Sequence, residues 1–167
     1  MCILESQRLI LRPYRPSDIE ALAAWLGDND VARMLARIPH PYTEADAEAF
    51  IAREPTEEQV FAIERKDDGV FLGAAGINPA EDYEFGYWLG KPFWGFGYAT
   101  EAVHRLVIHA FDTFGVDAVR AGFFADNPAS GHVLSKLGAR HDGSRRRFCL
   151  ARGREVLCHD MLLTRAD

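Results

Sequence analysis

The sequence has few cysteines, no long apolar run and no surplus of basic residues. Cys2, Cys149 and Cys158 are too few for a disulfide framework, so we expect reduced thiols in a cytoplasmic protein. No stretch approaches the ~18 apolar residues of a membrane span, and the N-terminus lacks signal-peptide features. Lys and Arg number 19 against 25 Asp and Glu, a net charge of −6 that disfavours nucleic-acid binding. We expect neither a membrane nor a nucleic acid as partner.

The sequence also lacks the common motifs of hydrolases, nucleotide-binding proteins and metalloenzymes. Ser130 does not lie in a Gly-x-Ser-x-Gly motif. The pair Gly95-x-Gly97 lacks the third glycine of a dinucleotide fingerprint and the Gly-Lys-Ser/Thr of a P-loop. The six histidines are scattered without metal-ligand spacing, so we expect no metal.

The 167 residues, 48% of them hydrophobic, contain no repeat or linker and predict one domain over residues 1–167. The element order β-α-α-β-β-β-α-β-α-β-β predicts a mixed α/β fold with a twisted sheet of about seven strands flanked by helices. The predicted strands cover residues 8–14, 59–65, 70–77, 83–89, 119–124, 144–150 and 155–163. The predicted helices follow a capping box at Ser17–Glu20, lie near 30–36, begin at Thr43, cover 99–114 and begin at Asn127.

The longest helix is predicted by an unbroken apolar stripe. From Ala99 to Phe114 the apolar positions are spaced alternately by three residues and by one, and Gly115 follows as the C-terminal stop. A loop containing Gly95 and Gly97 leads directly into this helix. Glycines at a helix N-terminus offer free backbone N–H groups and a close approach to an anion. The loop is therefore either a phosphate cradle or a tight turn that requires glycine for steric reasons.

Five segments resemble one known family. They are RLILRPYRPSD (8–18), PYT (41–43), EFGYWL (84–89), WGFGYATEA (94–102) and NPASGHVLSKLG (127–138). By these segments, which extend over most of the chain, it resembles the GCN5-related N-acetyltransferases (GNAT), and within them the RimJ/RimL-like branch. The resemblance implies a GNAT fold and acetyl-coenzyme A (acetyl-CoA) as acetyl donor.

The resemblance also implies which residues bind the coenzyme. The pyrophosphate would lie on the loop from Trp94 to Thr100, where Trp94 replaces the usual Gln or Arg, so that backbone N–H groups make the contacts. The implied cofactor-binding residues are Tyr87, Trp88, Leu89, Trp94, Gly95, Phe96, Gly97, Tyr98, Ala99, Thr100, Asn127 and Ser130.

The implied reaction is a direct attack of a neutral amine on the thioester. Glu84 matches the family's acidic residue and is the candidate base, directly or through water; alternatively it only attracts a cationic acceptor. Ser130 is the candidate partner of the thiolate, or else a local capping residue. Leu134 stands where many family members have a tyrosine, which leaves Tyr83, Tyr87 and Tyr98 as alternative acids.

The acceptor is implied to be a primary amine, either a protein N-terminus or a small molecule. The substrate-binding candidates are Arg37, Tyr42 and Glu84. The run Arg145–Arg147 is interpreted as a solvated strand, with an acidic partner as the less favoured alternative. Family analogy allows a homodimer through the C-terminal strand. The competing hypotheses are a coenzyme-A-binding module without transferase activity and a structural domain that binds nothing.

Overall fold

A computed structural model describes residues 2–53 and 58–165, which form an eight-stranded sheet and five helices. The strands are β1 (Leu4–Glu5), β2 (Leu9–Arg12), β3 (Gln59–Arg65), β4 (Phe71–Asn78), β5 (Glu84–Leu89), β6 (Ala118–Phe124), β7 (Arg140–Cys149) and β8 (Arg154–Thr164). The helices are α1 (Ile19–Gly27), α2 (Asn29–Ala32), α3 (Glu44–Ile51), α4 (Tyr98–Phe114) and α5 (Pro128–Lys136). Three short 3-10 turns cover Pro16–Asp18, Pro79–Glu81 and Lys91–Phe93.

The direction of strand pairing changes in the middle of the sheet. Its strand order is β1-β2-β3-β4-β5-β6-β8-β7, and every neighbouring pair is antiparallel except β5 and β6, which are parallel. The parallel pairing consists of Glu84 with Arg120 and Phe85 with Ala121. Among the described residues the two strands do not pair beyond these positions, so they separate there. The separation leaves one backbone edge of β5 unpaired from Gly86 onward.

Apolar clusters cover both faces of the sheet. On one face the buried stripe of α4, including Val103 and Leu106, packs against strand residues such as Phe61 and Phe85. On the other face Leu22 and Leu26 of α1 pack with residues of α3 and the sheet. Helix α4 connects β5 to β6, so its first turn lies at the end of the sheet where these strands separate. This arrangement confirms the mixed α/β fold.

Local capping and stop signals account for several helix boundaries. Thr43 accepts a hydrogen bond from the backbone N–H of Asp46, and Asp46 accepts one from Thr43, which together form a capping box at α3. Asn127 caps α5 by accepting from the N–H of Ser130 at 3.3 Å. Gly115 ends α4 with φ +64°, a left-handed conformation that favours glycine.

The structure corrects the predicted start of the first helix. Pro16–Asp18 form a 3-10 turn, and Asp18 accepts a hydrogen bond from the N–H of Arg15 at 2.8 Å. The carboxylate of Asp18 also binds the buried guanidinium of Arg12 through two 2.8 Å hydrogen bonds. The predicted capping box at Ser17–Glu20 is therefore wrong: Asp18, and not Ser17, accepts the backbone N–H at this turn, and α1 begins at Ile19.

Two strands also differ from the prediction. Strand β1, at Leu4–Glu5, is too short to show an alternating pattern, so the sheet has eight strands where about seven were expected. Strand β7 begins at Arg140 because it continues through a register shift between His141 and Ser144. Its first residues are exposed and polar, and they therefore carry no apolar alternation. Helix α2 ends at Ala32 and is shorter than predicted.

Candidate functional site

A cavity of about 790 Å³ opens where β5 and β6 separate. Residues alternate along β5, so that Glu84, Gly86 and Trp88 share one face while Phe85, Tyr87 and Leu89 share the other. All six line the cavity. The gap between the strands thus joins both faces of the sheet in a single site.

Most of the predicted site residues lie on the wall of this cavity. They are Arg37, Glu84, Tyr87, Trp88, Leu89, Trp94, Gly95, Gly97, Tyr98, Ala99, Thr100, Asn127 and Ser130. Within the described ranges, Tyr42 and Phe96 are not among the lining residues. Tyr42 is buried in the apolar cluster around α1, and the Phe96 side chain is 61% exposed on the outer surface. The structure therefore gives no support to the assignment of Tyr42 to the acceptor or of the Phe96 side chain to the coenzyme.

The glycine loop combines a required backbone conformation with open space. Gly95 and Gly97 have φ values of +83° and +80°, which side chains rarely adopt, so glycine is needed here with or without a ligand. A Cβ at Gly95 would meet no described atom within 4 Å. The N–H of Glu101 makes a backbone hydrogen bond to Gly97 at 3.2 Å, and the preceding N–H groups belong to the unsatisfied first turn of α4. The structure therefore supports the tight turn directly, while the phosphate cradle stays a prediction with which the open space is compatible.

Side chains outside the cavity hold the loop in place. Arg8 donates from Nη1 to the carbonyl of Phe96 at 3.0 Å and from Nε to Glu101 at 2.7 Å. Glu101 also accepts from the N–H of Arg8 at 2.6 Å and from the hydroxyl of Ser6 at 2.7 Å. On the cavity side, the Trp94 indole N–H donates to the carbonyl of Leu89 at 2.8 Å. We call Ser6, Arg8 and Glu101 the loop clamp.

Tyr87 and Ser130 form a hydrogen-bonded pair on the cavity wall. The Tyr87 hydroxyl lies 2.7 Å from the Ser130 hydroxyl and donates to the Ser130 carbonyl at 3.2 Å. Burial raises the pKa of Tyr87 to about 12, although the hydrogen bond with Ser130 opposes the shift. The sequence predicted Tyr87 as a cofactor-binding residue and as one of three alternative acids. The sequence signal for this position was the spacing of Tyr87 two residues from Phe85 and from Leu89 on one strand. Residues with that spacing share a face, and the buried Phe85 and Leu89 place this face toward α4 and α5.

Two arginines of β7, the strand at one edge of the sheet, bind Glu84. Arg147 donates to one carboxylate oxygen at 2.5 Å and Arg145 to the other at 3.0 Å. Arg145 also contacts Asp160 at 3.1 Å. Burial lowers the pKa of Arg147, but the hydrogen bond and charge of Glu84 outweigh it and leave that pKa above its ordinary value. Arg145 and Arg146 are exposed, as the predicted solvated strand requires, although Arg145 is ion-paired; only the half-buried Arg147 departs from the prediction.

The other predicted groups have structural partners. Arg37 is ion-paired with Glu81 at the rim of the cavity. All three cysteines lie in the described part of the chain and are free thiols, as expected. Cys158 reaches the cavity wall, where burial raises the pKa of its thiol. In residues 2–53 and 58–165, no group of three potential metal ligands is close enough to hold an ion, and no helix could span a bilayer.

The separated parallel strands, the glycine loop that enters α4 and the cavity between them agree with the acyltransferase that the resemblance implies. Residues 8–140 match the family model described as the acetyltransferase (GNAT) domain. The chain belongs to the GNAT family of acetyltransferases, which confirms the resemblance found in the sequence.

Similar proteins agree with this assignment. The chain is 29% identical over 160 residues to a Bacillus subtilis (strain 168) protein named "Uncharacterized N-acetyltransferase YoaA", covering 90% of each. A GNAT-family acetyltransferase structure from Bacillus anthracis matches with a TM-score of 0.85 at 20% identity, covering 98% of each chain. Mycobacterium smegmatis RimJ in complex with CoA-disulfide matches with a TM-score of 0.84 at 20% identity, covering 98% of this chain and 87% of RimJ. At these identities the two structures show the fold.

Proposed function

We propose that this enzyme transfers an acetyl group from acetyl-CoA to a primary amine, by direct attack while both substrates are bound. The acceptor is either a small molecule or a protein N-terminus. One observation carries the proposal: the Tyr87–Ser130 pair and Glu84, which lie on opposite faces of β5, line one cavity. A thioester in the gap would thus have a hydroxyl pair on one side and a carboxylate on the other.

The coenzyme fits the main chain around the cavity. The loop from Trp94 to Thr100 would receive the pyrophosphate on backbone N–H groups, aided by the positive end of the α4 dipole. The unpaired edge of β5, from Gly86 to Leu89, would hydrogen-bond the pantetheine amides as an added strand does. The RimJ relative bound to CoA-disulfide supports this choice of cosubstrate.

The reaction releases two protons from the amine nitrogen, and each must be accounted for. An alkylammonium must lose one proton before its nitrogen can attack the thioester carbonyl carbon. The C–N bond then forms, the C–S bond breaks and the nitrogen loses a second proton. The departing sulfur takes up one proton, and the other is released to solvent.

Glu84 is proposed to bind the ammonium and to receive its first proton. Both carboxylate oxygens already accept a hydrogen bond from a guanidinium, so the transfer is proposed to run through a water molecule. Tyr87 is proposed to protonate the sulfur. With a pKa of about 12 its hydroxyl keeps its proton at neutral pH, and Ser130 orients it.

Calorimetric titration with acetyl-CoA tests the coenzyme site. We expect the wild type to bind and Gly95→Glu to lose binding, because the new carboxylate would occupy the proposed phosphate position. Gly69→Glu is the matched control: Gly69 also has a positive φ and open space, but it lies in the turn between β3 and β4. If Gly95→Glu binds as well as Gly69→Glu does, the proposed site is wrong.

Turnover separates an enzyme from a module that only binds the coenzyme. We expect an amine panel to release free thiol from acetyl-CoA, and Ser130→Ala to slow that release while binding persists. Acetyl-CoA binding without acceptor-dependent thiol release would favour the module.

Two further expectations remain proposals. A cytoplasmic location agrees with the free thiols. A homodimer through β7 is compatible with its place at the edge of the sheet. Light scattering at micromolar concentration tests the dimer, and a single monomer peak would contradict it.

A further inference from the structure

Two guanidinium groups, those of Arg37 and Arg147, lie on the cavity wall in the part of the chain that the structure describes. Arg37 lies at the rim with a side chain that is 56% exposed, and it is paired with Glu81. Arg147 lies deeper, with its side chain 25% exposed. Arg147 is therefore the guanidinium placed to meet a molecule inside the cavity.

Arg147 has hydrogen-bonding capacity left over. A guanidinium has five N–H donors, and within the described ranges Arg147 uses one of them, toward Glu84. Its neighbour Arg145 is engaged with both Glu84 and Asp160. In a partly buried site, charge-assisted hydrogen bonds from a planar guanidinium to a carboxylate are strong and can be bidentate.

The acidic residues of the wall already have cationic partners. Glu58 pairs with Arg53, Glu81 with Arg37, and Asp126 with Arg33 and Arg152. A ligand with only a positive charge would have to compete with these arginines. Glu84 is likewise paired, with Arg145 and Arg147, but a zwitterion offers both charges of this cluster a partner: its carboxylate would face Arg147 while its ammonium faces Glu84.

The surrounding wall indicates the rest of the ligand. Met34, Leu35 and Ile38 line the cavity next to Arg37, and Val60 of β3 adds a further apolar side chain. These residues would contact an aliphatic or aromatic substituent. The charges and the apolar wall together have the chemistry of a free amino acid with an apolar side chain.

We propose that Arg147 is a specificity-determining residue that binds the acceptor's carboxylate, and that the acceptors are free α-amino acids with apolar side chains. The inference rests on the proposed function, since it names the acceptor class of that same site. The amino nitrogen, placed beside Glu84, is the atom that is acetylated.

Matched acceptors test the inference directly. The first set keeps one side chain and has the carboxylate free, amidated or absent: phenylalanine, phenylalaninamide and phenethylamine. A second set repeats the comparison with leucine, leucinamide and isoamylamine. We expect the wild type to favour the amino acid over the amide and the amine by at least about tenfold in kcat/KM, as one charge-assisted hydrogen bond provides. The difference should lie mainly in KM for the acceptor.

Variants assign this selectivity to Arg147. Arg147→Gln is expected to bring the amino-acid-to-amine ratio of kcat/KM close to one, and Arg147→Lys to restore part of it. Arg146→Gln is the matched control, because Arg146 is exposed on the opposite face of the same strand, and it should keep the wild-type ratio. The ratio also cancels any change in fold or in Glu84 that affects all acceptors alike.

The outcomes separate this inference from the proposed function. If amides, amines or peptides are acetylated as fast as the free amino acids or faster, the inference is overturned and the N-acetyltransferase stands. If no amino acid is acetylated, the inference is likewise overturned. An unchanged ratio in Arg147→Gln overturns the role of Arg147. A lack of acetyl-CoA binding or of any acceptor turnover counts against the proposed function itself.

Discussion

Tyr87 owes its properties to its position on β5. The alternation of the strand turns the ring toward α5, where Asn127 caps the first turn and holds Ser130 in place. Leu134, one turn further along α5, is fully buried and has no polar group to offer the cavity. The hydroxyl that a tyrosine on α5 would supply in many relatives is thus available here from the neighbouring strand.

We expect Tyr87→Phe to lower kcat by about 100-fold, the lower end of the usual contribution of a general acid. Binding of acetyl-CoA should change little, because the ring remains. Steady-state kinetics and calorimetry measure the two effects.

Tyr83→Phe is the control, because Tyr83 packs against Phe114 and is not among the described residues of the cavity wall. Because the pKa of Tyr87 is about 12, its hydroxyl does not titrate between about pH 6 and pH 10. Any fall in rate within that range should therefore persist in Tyr87→Phe. A kcat close to that of the wild type would exclude Tyr87 as the acid.

At the scale of elements, the loop clamp joins the N-terminal strands to the start of α4. Glu101 lies in the first turn of α4 and accepts three hydrogen bonds from Ser6 and Arg8. Arg8 also stacks over the ring of Tyr98 at 4.5 Å. The clamp fixes the loop from outside the cavity through the carbonyl of Phe96, so its contact with the loop uses none of the loop N–H groups.

We expect Glu101→Gln to lower the free energy of unfolding at pH 7 by about 2 kcal/mol, because charged hydrogen bonds of a largely buried group are lost. It should also weaken acetyl-CoA binding, since the loop loses an anchor. Urea unfolding and calorimetry measure both effects. Glu44→Gln is the control, because Glu44 is an exposed residue in the first turn of α3. Equal effects of the two substitutions would contradict the clamp.

The clamp also predicts a pH dependence. Burial raises the pKa of Glu101, but the hydrogen bonds from Arg8 and Ser6 outweigh it, so the pKa in the folded protein lies below its usual value. The resulting stabilisation is present above the unfolded pKa of about 4.3 and is lost as the pH falls through the lower folded pKa. Stability measured from pH 7 downward should therefore decline less steeply in Glu101→Gln than in the wild type.

At the scale of the whole molecule, one sheet separates two apolar layers that must fold together. Leu106 of α4 is fully buried in one layer, while Trp25 and Trp88 pack in the other. A buried ion pair between Arg12 and Asp18 further ties β2 to the turn before α1. Because both layers depend on the same strands, we expect a single cooperative transition.

We expect Leu106→Ala to lower the free energy of unfolding by about 2–5 kcal/mol, the usual cost of a cavity in a core. Tryptophan fluorescence, which reports mainly the opposite layer, and far-ultraviolet circular dichroism should shift by the same amount. Ile108→Ala on the same helix should cost less than about 0.5 kcal/mol, since Ile108 is 39% exposed. A fluorescence transition that stays in place in Leu106→Ala would show that the layers unfold separately.

The sequence by itself determined the features that depend on neighbours within a few residues. The stripe from Ala99 to Phe114, the stop at Gly115 and the caps at Thr43 and Asn127 are all present in the structure. These signals are local because helical hydrogen bonds and caps join residues three or four positions apart. The order of these elements and the motif segments were also enough to predict the family.

Only the tertiary structure decided which functional side chains meet. Tyr87 and Ser130 are 43 residues apart in the sequence, and Glu84 is 61 and 63 residues from its two arginines. Their contacts depend on the strand order β5-β6-β8-β7 and on the gap after Phe85, which no local pattern encodes. The capping box predicted at Ser17–Glu20 likewise gave no sign that the carboxylate of Asp18 binds the buried guanidinium of Arg12. The arrangement of charges that distinguishes one acceptor from another arises from these long-range contacts.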